Sequence, residues 1–343
     1  MKLHLVLPGL IWPSPNASGL LNGLQLPAFE RLLGSGRSAI SPGQGFEPWI
    51  ARNFSLTAGS GHPPAFPYAT LRRMGESGTP INDGHWLCAD PVHLHFARER
   101  LLLSDAEDLD ISRSEATALL EGLNQLLVAE EIDFIRFEAK SPRRWYLRLK
   151  SAPQASFAPL NDVVGRPVAS FLPSGQDGKR WQKILNEIQV YLHNHPVNKA
   201  REASGRRMIN GVWFWGQGAL TTRPVAPAPL VLTRNRLVRG MALASGIRPD
   251  NPKRLPQLDA MVVLDPLLRP SLYLDLDTWR AELPRIEAEW FAPALEALRK
   301  RRLDELWVSA PGDRMVYDLQ VRAIDLWKFW RRPLSLDRIV HPT

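Results

Sequence analysis

Three short runs of this chain are almost entirely apolar, and they lie far apart in the sequence. They are Leu3–Leu7, Ala260–Leu264 and Leu306–Ser309. Continuous apolar runs of this length are typical of strands that are buried on both faces, as in parallel sheets covered by helices. A helical pattern over 277–302 separates the last two runs. The pattern predicts an α/β fold with a mainly parallel sheet, covered by helices on both faces and built from both ends of the chain.

The middle of the chain carries a different pattern, which predicts a small α+β unit. Val92–Phe96 alternates apolar and polar residues, which is typical of a half-buried strand. Ser112-Arg113-Ser114-Glu115 forms a capping box, followed by leucines at helical spacing. Further strands are predicted at 100–103, 132–137 and 145–149.

The length of 343 residues also favours two domains, or one core with a large insertion. We therefore predict a core formed by 1–84 together with 156–343, and an inserted α+β domain at 85–155. A second clear helix follows the insertion, with Trp181, Ile184 and Ile188 on its apolar stripe. A short apolar strand is predicted at 212–215.

Composition narrows the function classes. Cys88 is the only cysteine, so no intramolecular disulfide can form, and we expect a cytoplasmic protein. No apolar run approaches the length of a membrane-spanning helix, so we expect no membrane partner. The net charge is +8, with basic clusters at Arg143-Arg144, Arg299–Arg302 and Arg331-Arg332. We interpret them as solvated faces and helix ends, and we do not expect a nucleic-acid partner, since no nucleic-acid-binding motif accompanies them.

The most specific stretch of the sequence runs from 185 to 218. It contains Leu185-Asn186-Glu187, His195-Pro196-Val197-Asn198, Arg201, Asn210 and Trp215-Gly216-Gln217-Gly218. In order and spacing it resembles the archaeal-type cofactor-independent phosphoglycerate mutases of the alkaline-phosphatase superfamily. Ala89–Leu94 and Pro67-Tyr68-Ala69 are similar to a bacterial group of Rpf-type regulatory proteins, which is a degenerate branch. The resemblance implies an alkaline-phosphatase-like core with an inserted domain.

The resemblance also implies where catalytic residues should stand. Active members hold two divalent metals with Asp and His side chains, and a Ser takes the phosphoryl group. Here Pro8-Gly9-Leu10 follows the first strand, and Phe66 and Pro67 fall where the Ser-Asp pair is expected. The last strand is followed by Ala310–Asp313, without a His. Neither does a His accompany Asp265, Asp275 and Asp277. We therefore expect no two-metal centre and no cofactor.

Two groups of residues remain candidates for ligand binding. His93 and His95 share one face of a predicted strand, with Asp90 nearby, so the three could chelate a metal or line the polar face of a hairpin. His195, Asn198 and Arg201 follow a helix end, where they could form a pocket for a phosphorylated or anionic small molecule. Alternatively, they cap the helix and hold the following loop. Ser60-Gly61-His62 lacks an oriented third member of a catalytic triad.

The leading hypothesis is a catalytically degenerate, phosphoglycerate-mutase-like protein that binds a metabolite or a protein partner and has a regulatory role. One alternative is an active metal-dependent phosphomutase or phosphatase with relocated ligands, drawn from Asp90, His93, His95, Asp265, Asp275 and Asp313. Another alternative, motivated by the positive charge, is a nucleic-acid-associated regulator.

Overall fold

A computed structural model describes residues 1–13, 21–58, 65–79, 84–128, 133–328 and 330–336. Its strands are β1 Lys2–Val6, β2 Arg37–Pro42, β3 His85–Ala97, β4 Arg100–Ser104, β5 Phe134–Ser141, β6 Arg144–Leu149, β7 Gly211–Trp215, β8 Leu230–Thr233, β9 Ala260–Val263, β10 Glu305–Pro311 and β11 Met315–Arg322. The α-helices are α1 Pro27–Ser35, α2 Phe46–Asn53, α3 Tyr68–Ser77, α4 Arg113–Leu123, α5 Leu160–Val163, α6 Gly178–Asn194, α7 Pro196–Ala203, α8 Arg236–Ala244, α9 Leu268–Tyr273, α10 Leu276–Ile286 and α11 Ala292–Arg299. Single 3₁₀ turns span Ala106–Asp108, Val168–Phe171 and Ala323–Trp327, and π-helical turns span Asn124–Val128 and Glu287–Phe291.

The chain divides into two compact units, 1–55 with 224–343, and 56–223. The second unit is longer than the 85–155 segment predicted as an inserted domain. The difference arises because β7, which lies beyond 155, pairs with β3 over Cys88–Val92. Strand pairing at this distance in sequence leaves no local signal, so the predicted unit ended after its last predicted strand, 145–149.

The first unit contains a six-stranded sheet in the order β2-β11-β10-β1-β9-β8. Strands β10, β1, β9 and β8 run parallel, and their residues are mostly buried. The apolar runs predicted β1, β9 and β10, whereas β8 was not predicted. The sheet is mixed, however, because β11 and β2 extend it in antiparallel orientation. All six residues of β2 are exposed, so that strand carries no apolar pattern from which it could be predicted.

The buried carboxylate of Glu287 holds the first turn of α1. Ala28 and Phe29, in the first turn of α1, donate backbone N–H groups to the carboxylate of Glu287 at 2.6 and 3.1 Å. The ring of Phe29 stacks on that of Phe291, with 4.2 Å between centroids. Glu287 thereby supplies acceptors for N–H groups that a helix cannot satisfy internally, and an anion is favoured at a helix N-terminus.

The second unit contains an antiparallel sheet in which β3 is the shared strand. Residues 85–88 of β3 pair with β6, 88–92 with β7 and 93–97 with β4, and β5 pairs with β6. These pairings confirm the predicted hairpins. Helix α4 begins at the predicted capping box, in which Ser112 Oγ accepts from Glu115 N–H at 3.1 Å. Trp181 of α6 is buried among Phe134, Phe157 and Phe214.

Together the sheets and helices confirm an α/β protein. Within the described residues, no helix is both long and apolar enough to cross a bilayer. Ser60-Gly61-His62 lies outside the described residues.

Candidate functional site

The carboxyl edge of the parallel strands is the first place to look for a site in the unit 1–55 with 224–343, because ligands of open α/β sheets bind there. Pro8-Gly9 follows β1, Asn235 follows β8, Asp265 follows β9 and Gly312-Asp313 follows β10. Gly9 has φ of +82°, and a Cβ there would stand 2.4 Å from the carbonyl oxygen of Leu267. The close approach of the two loops therefore requires glycine where the resemblance implies a metal-binding Asp.

One carboxyl group at this edge is well positioned. Asn235 begins α8, where its Oδ1 accepts the N–H groups of Leu237 and Val238, while its Nδ2 donates to Asp265 Oδ2 at 3.0 Å. Burial raises the pKa of Asp265, although the hydrogen bond from Asn235 opposes that shift. A partly buried carboxyl with a raised pKa can hold a proton at higher pH than an exposed Asp can.

A cavity of about 140 Å³ opens beside Asp265. Charged side chains in its wall include Arg234, Glu282, Arg285 and Glu289. Arg285 lies 3.0 Å from Glu289 and 3.8 Å from Glu282, so much of the charge is paired within the wall. The cavity could hold a few water molecules or one small polar group.

Two other acidic residues, Asp275 and Asp313, were considered as relocated metal ligands. Asp275 accepts from the N–H and hydroxyl of Thr278 at the start of α10. Asp313 lies in the turn between β10 and β11. Across the described ranges, His, Cys, Asp and Glu side chains form no group of three or more that could hold a metal ion.

In the unit 56–223, Asp90 is buried and fully engaged by neighbouring side chains. Its two carboxylate oxygens accept from Arg72 at 2.7 and 2.8 Å, and Trp215 Nε1 donates to it at 2.7 Å. Arg72 also donates to Tyr146 Oη at 2.8 Å. Such a bidentate pair neutralises the carboxylate, so the predicted metal-ligand role of Asp90 is not supported by its contacts.

His93 and His95 do share one face of β3, as predicted, but their rings stack. The centroids lie 5.4 Å apart with 11° between the planes. His93 Nδ1 lies 2.9 Å from the carbonyl oxygen of Met208, and burial lowers the pKa of His93. Neither histidine belongs to a group of three or more potential metal ligands among the residues that the structure describes.

Asn198 and Arg201 hold a loop and have little bonding capacity left for a ligand. Asn198 is buried, with Nδ2 donating to the carbonyls of Leu192 and Ile209, and Oδ1 accepting from Ile209 N–H. Arg201 is buried as well. Its partners are Glu115 Oε1 at 2.9 Å and the carbonyls of Arg207 and Leu109. The alternative considered for these residues, that they tie down the loop, agrees with this geometry, and an anion pocket does not.

Glu115 is a partner of Arg201 that the sequence pattern did not predict. It closes the capping box of α4 and also accepts from Arg201 and Arg206. Burial disfavours its charged form, but the Ser112 N–H group and Arg201 outweigh that effect and lower its pKa. A capping box explains a Glu locally, so its second role could be found only from the tertiary contacts.

His195 borders a cleft in the structure. Its Nδ1 accepts the N–H of Val197 at 3.2 Å at the start of α7, and burial lowers its pKa. It lies at one end of a cleft of about 820 Å³ that follows the outer stripe of α6. The cleft is lined by Leu126, Lys183, Asn186, Glu187, Val190, Tyr191, Asn194, His195 and Pro196.

The Gly-x-Gly turn of the motif also has a structural explanation. Gly216 and Gly218 both have positive φ, at +76° and +134°. A Cβ on Gly218 would stand 2.8 Å from the backbone carbon of Phe66, and Ala69 N–H donates to the carbonyl of Gly216. The turn therefore packs against 66–69, the segment in which the resemblance places a nucleophile, and there Phe66 stacks on Tyr68 instead.

Part of the sequence is similar to known proteins. Residues 91–198 match the family model described as 2,3-bisphosphoglycerate-independent phosphoglycerate mutase. The enzyme of that name from Methanosarcina mazei is 26% identical over 206 residues, which are 58% of this chain and 50% of the relative. A second, from Methanothermobacter thermautotrophicus, is 32% identical over 111 residues, which are 32% of this chain and 27% of the relative.

Among solved structures, the PH0037 protein from Pyrococcus horikoshii superimposes with a TM-score of 0.52 and 14% identity, covering 94% of this chain and 87% of that one. That likeness concerns the fold alone. The chain spans half or less of the length of the curated relatives named above. The similarity to the family of 2,3-bisphosphoglycerate-independent phosphoglycerate mutases is therefore shown for residues 91–198, which lie within the unit 56–223.

Proposed function

We propose that this chain is a catalytically degenerate relative of the phosphoglycerate mutases, which acts by binding a metabolite or a protein partner. The proposal includes a regulatory role in the cytoplasm and a place in the degenerate bacterial Rpf-type group. It rests on one observation above the others. The loops that follow the four parallel strands carry Gly9, Asn235, the partly buried Asp265 and the exposed Asp313 at the edge where the family chemistry would require several metal ligands.

The chemistry explains why this replacement matters. Two divalent ions that stabilise attacking and leaving oxygens of a phosphoryl group need carboxylate and imidazole ligands from several loops. No histidine occurs in the loop residues directly after β1, β8, β9 or β10. Asp265 also bonds to a neutral amide and has a raised pKa, which makes it a poorer ligand than an ionised carboxylate.

The cleft beside His195 is the proposed binding surface. Its wall combines apolar side chains, Leu126 and Val190 among them, with an ion pair of 3.3 Å between Lys183 and Glu187. A paired wall of this kind suits a protein segment better than a free phosphate, because its one lysine already has a counter-charge. We therefore favour the protein partner over the anionic metabolite.

The test combines metal content with turnover. The full chain, purified without chelators, is incubated with Mn²⁺ or Zn²⁺, analysed for bound metal, and assayed for interconversion of 2- and 3-phosphoglycerate. The Methanosarcina mazei relative serves as the positive control. We expect no stoichiometric metal and no turnover above buffer. About two metals per chain together with turnover would refute the proposal.

The second candidate is an active metal-dependent phosphomutase or phosphatase with relocated ligands. A specific observation favours it, since a carboxyl with a raised pKa beside a cavity is a common feature of active sites. Asp265→Asn keeps the shape of the side chain and the bond to Asn235. If the chain hydrolyses phosphomonoesters and this variant does not, while the exposed Asp277→Asn does, the second candidate replaces the first.

A further inference from the structure

A short segment of the unit 1–55 with 224–343 exposes large apolar side chains. The 3₁₀ turn Ala323–Trp327 and the residues after it leave Ile324, Trp327 and Trp330 exposed by 69%, 68% and 68%. We call these three residues the aromatic segment. Apolar side chains scattered singly over a surface are ordinary, but a group within seven residues of chain marks an interaction site more often.

Basic residues flank the aromatic segment. Helix α11 ends at Arg299, and Arg299–Arg302 are all exposed. The guanidinium of Arg301 lies 5.5 Å from the ring centroid of Trp327, and Ala323 N–H donates to the carbonyl of Asp304. These contacts hold the basic run and the aromatic segment on one surface. The sequence pattern alone interpreted the basic run as a solvated helix end.

This combination has a specific chemical match. Tryptophan rings favour the polar headgroup level of a bilayer, aliphatic side chains favour the hydrocarbon below it, and arginines pair with lipid phosphates. Each basic side chain close to an anionic membrane adds to the electrostatic attraction. Single-stranded nucleic acids also bind basic and aromatic surfaces, but they do so by stacking bases on rings in a groove, and Ile324 offers no ring.

We propose that this surface docks reversibly on anionic lipid bilayers. The inference goes beyond the proposed function, since it concerns a different part of the chain from the cleft beside His195. It also differs from the expectation of no membrane partner, which considered only segments that span a bilayer. A peripheral contact of this kind needs no spanning helix, and its affinity is modest because only a few side chains enter the interface.

The experiment is flotation of the full chain with vesicles. One set contains phosphatidylcholine alone, and the other has about a third of phosphatidylglycerol. We expect binding to the anionic vesicles, weakening as salt is raised, and little binding to the neutral ones. Trp327→Ser with Trp330→Ser should weaken binding by about tenfold or more, and so should Arg299→Glu with Arg302→Glu.

Matched controls separate this surface from general stickiness. Phe96→Ser removes an aromatic side chain that is 77% exposed in the other unit, and Lys253→Glu with Arg254→Glu reverses two exposed charges elsewhere. Both controls should bind like the unchanged protein, and unfolding midpoints confirm that all variants fold. Undiminished binding by the tryptophan variant overturns the proposal. Failure of the unchanged protein to bind anionic vesicles also overturns the proposal. This holds even if the protein binds an oligonucleotide and needs the two tryptophans to do so.

Discussion

The unit 56–223 and the sheet edge of the other unit use buried polar groups in opposite ways. In the first, Asp90, Asn198 and Arg201 are each bonded to several partners within the chain. At the sheet edge, Asp265 is bonded to one neutral amide and borders a cavity. Polar residues of the 185–218 motif are therefore bonded within the chain, whereas Asp265 at the sheet edge has one side-chain partner and borders a cavity. Similarity to an enzyme motif can persist for structural reasons alone.

The largest effect that this contrast predicts is at Asp90. Asp90→Ala leaves the buried guanidinium of Arg72 without its carboxylate, so we expect the free energy of unfolding to fall by about 3–5 kcal/mol. Urea denaturation measures it. Asp110→Asn is the control, because that side chain is 98% exposed, lies 3.9 Å from Arg206, and has a positive φ that asparagine tolerates. A loss at Asp90 no larger than at Asp110 would mean that the buried pair is not structural.

The second prediction concerns His4 in the other unit. Burial lowers the pKa of His4 to about 4, and its Nε2 lies 2.8 Å from Ser309 Oγ. The unfolded chain takes up a proton near pH 6.5 and the folded chain only near 4, so stability is present above pH 6.5 and is lost as the pH falls towards 4. The loss should reach about 2–3 kcal/mol.

The pH dependence is measured by urea denaturation at pH 7, 6, 5 and 4.5. His4→Gln should remove much of the decline, because an amide does not titrate, whereas the exposed His193→Gln should decline like the unchanged protein. If His4→Gln and the unchanged protein follow the same pH profile, His4 is not the group responsible.

The third prediction tests whether the motif asparagine is structural. Asn198→Ala leaves the buried N–H of Ile209 and two carbonyls without a partner, and we expect a loss of about 2 kcal/mol. Asn194→Ala is the matched control, because Asn194 is exposed and donates only to Val190 of the same helix. Equal destabilisation by the two changes would argue that Asn198 is kept for a ligand.

The smallest predicted effect is at Asp265. Its substitution should raise the free energy of unfolding at pH 7, whereas the substitutions of Asp90 and Asn198 should lower it. Because the folded pKa of Asp265 is raised, the protonated group favours folding at low pH, and that contribution is lost as the pH rises through the folded pKa. Asp265→Asn should therefore raise stability at pH 7 by up to about 1 kcal/mol and leave it nearly unchanged at pH 3. Destabilisation at pH 7 would indicate that the ionised carboxylate has a partner worth seeking.

Local patterns identified most of the regular elements. The apolar stripe of α6, the capping box of α4, the hairpins of the second unit and the buried strands β1, β9 and β10 all appear where periodicity placed them. The antiparallel strand β2 was missed because none of its residues is buried. For His195, Asn198 and Arg201 the sequence left two interpretations open, a ligand pocket or a capped helix end with its loop, and Asn198 and Arg201 are bonded to the chain itself.

Local sequence patterns were enough to predict the α/β class, the positions of the main helices and strands, and a resemblance to the phosphoglycerate mutases, because periodicity and motif order are properties of neighbouring residues. Which polar groups meet depends on the tertiary fold. Arg72 is hydrogen-bonded to Asp90, 18 residues away in the sequence, and Arg201 to Glu115, 86 residues away. The sequence does not distinguish a carboxylate or a guanidinium that faces a ligand from one that faces a buried partner. Its role depends on the groups that the folded chain brings within hydrogen-bond distance.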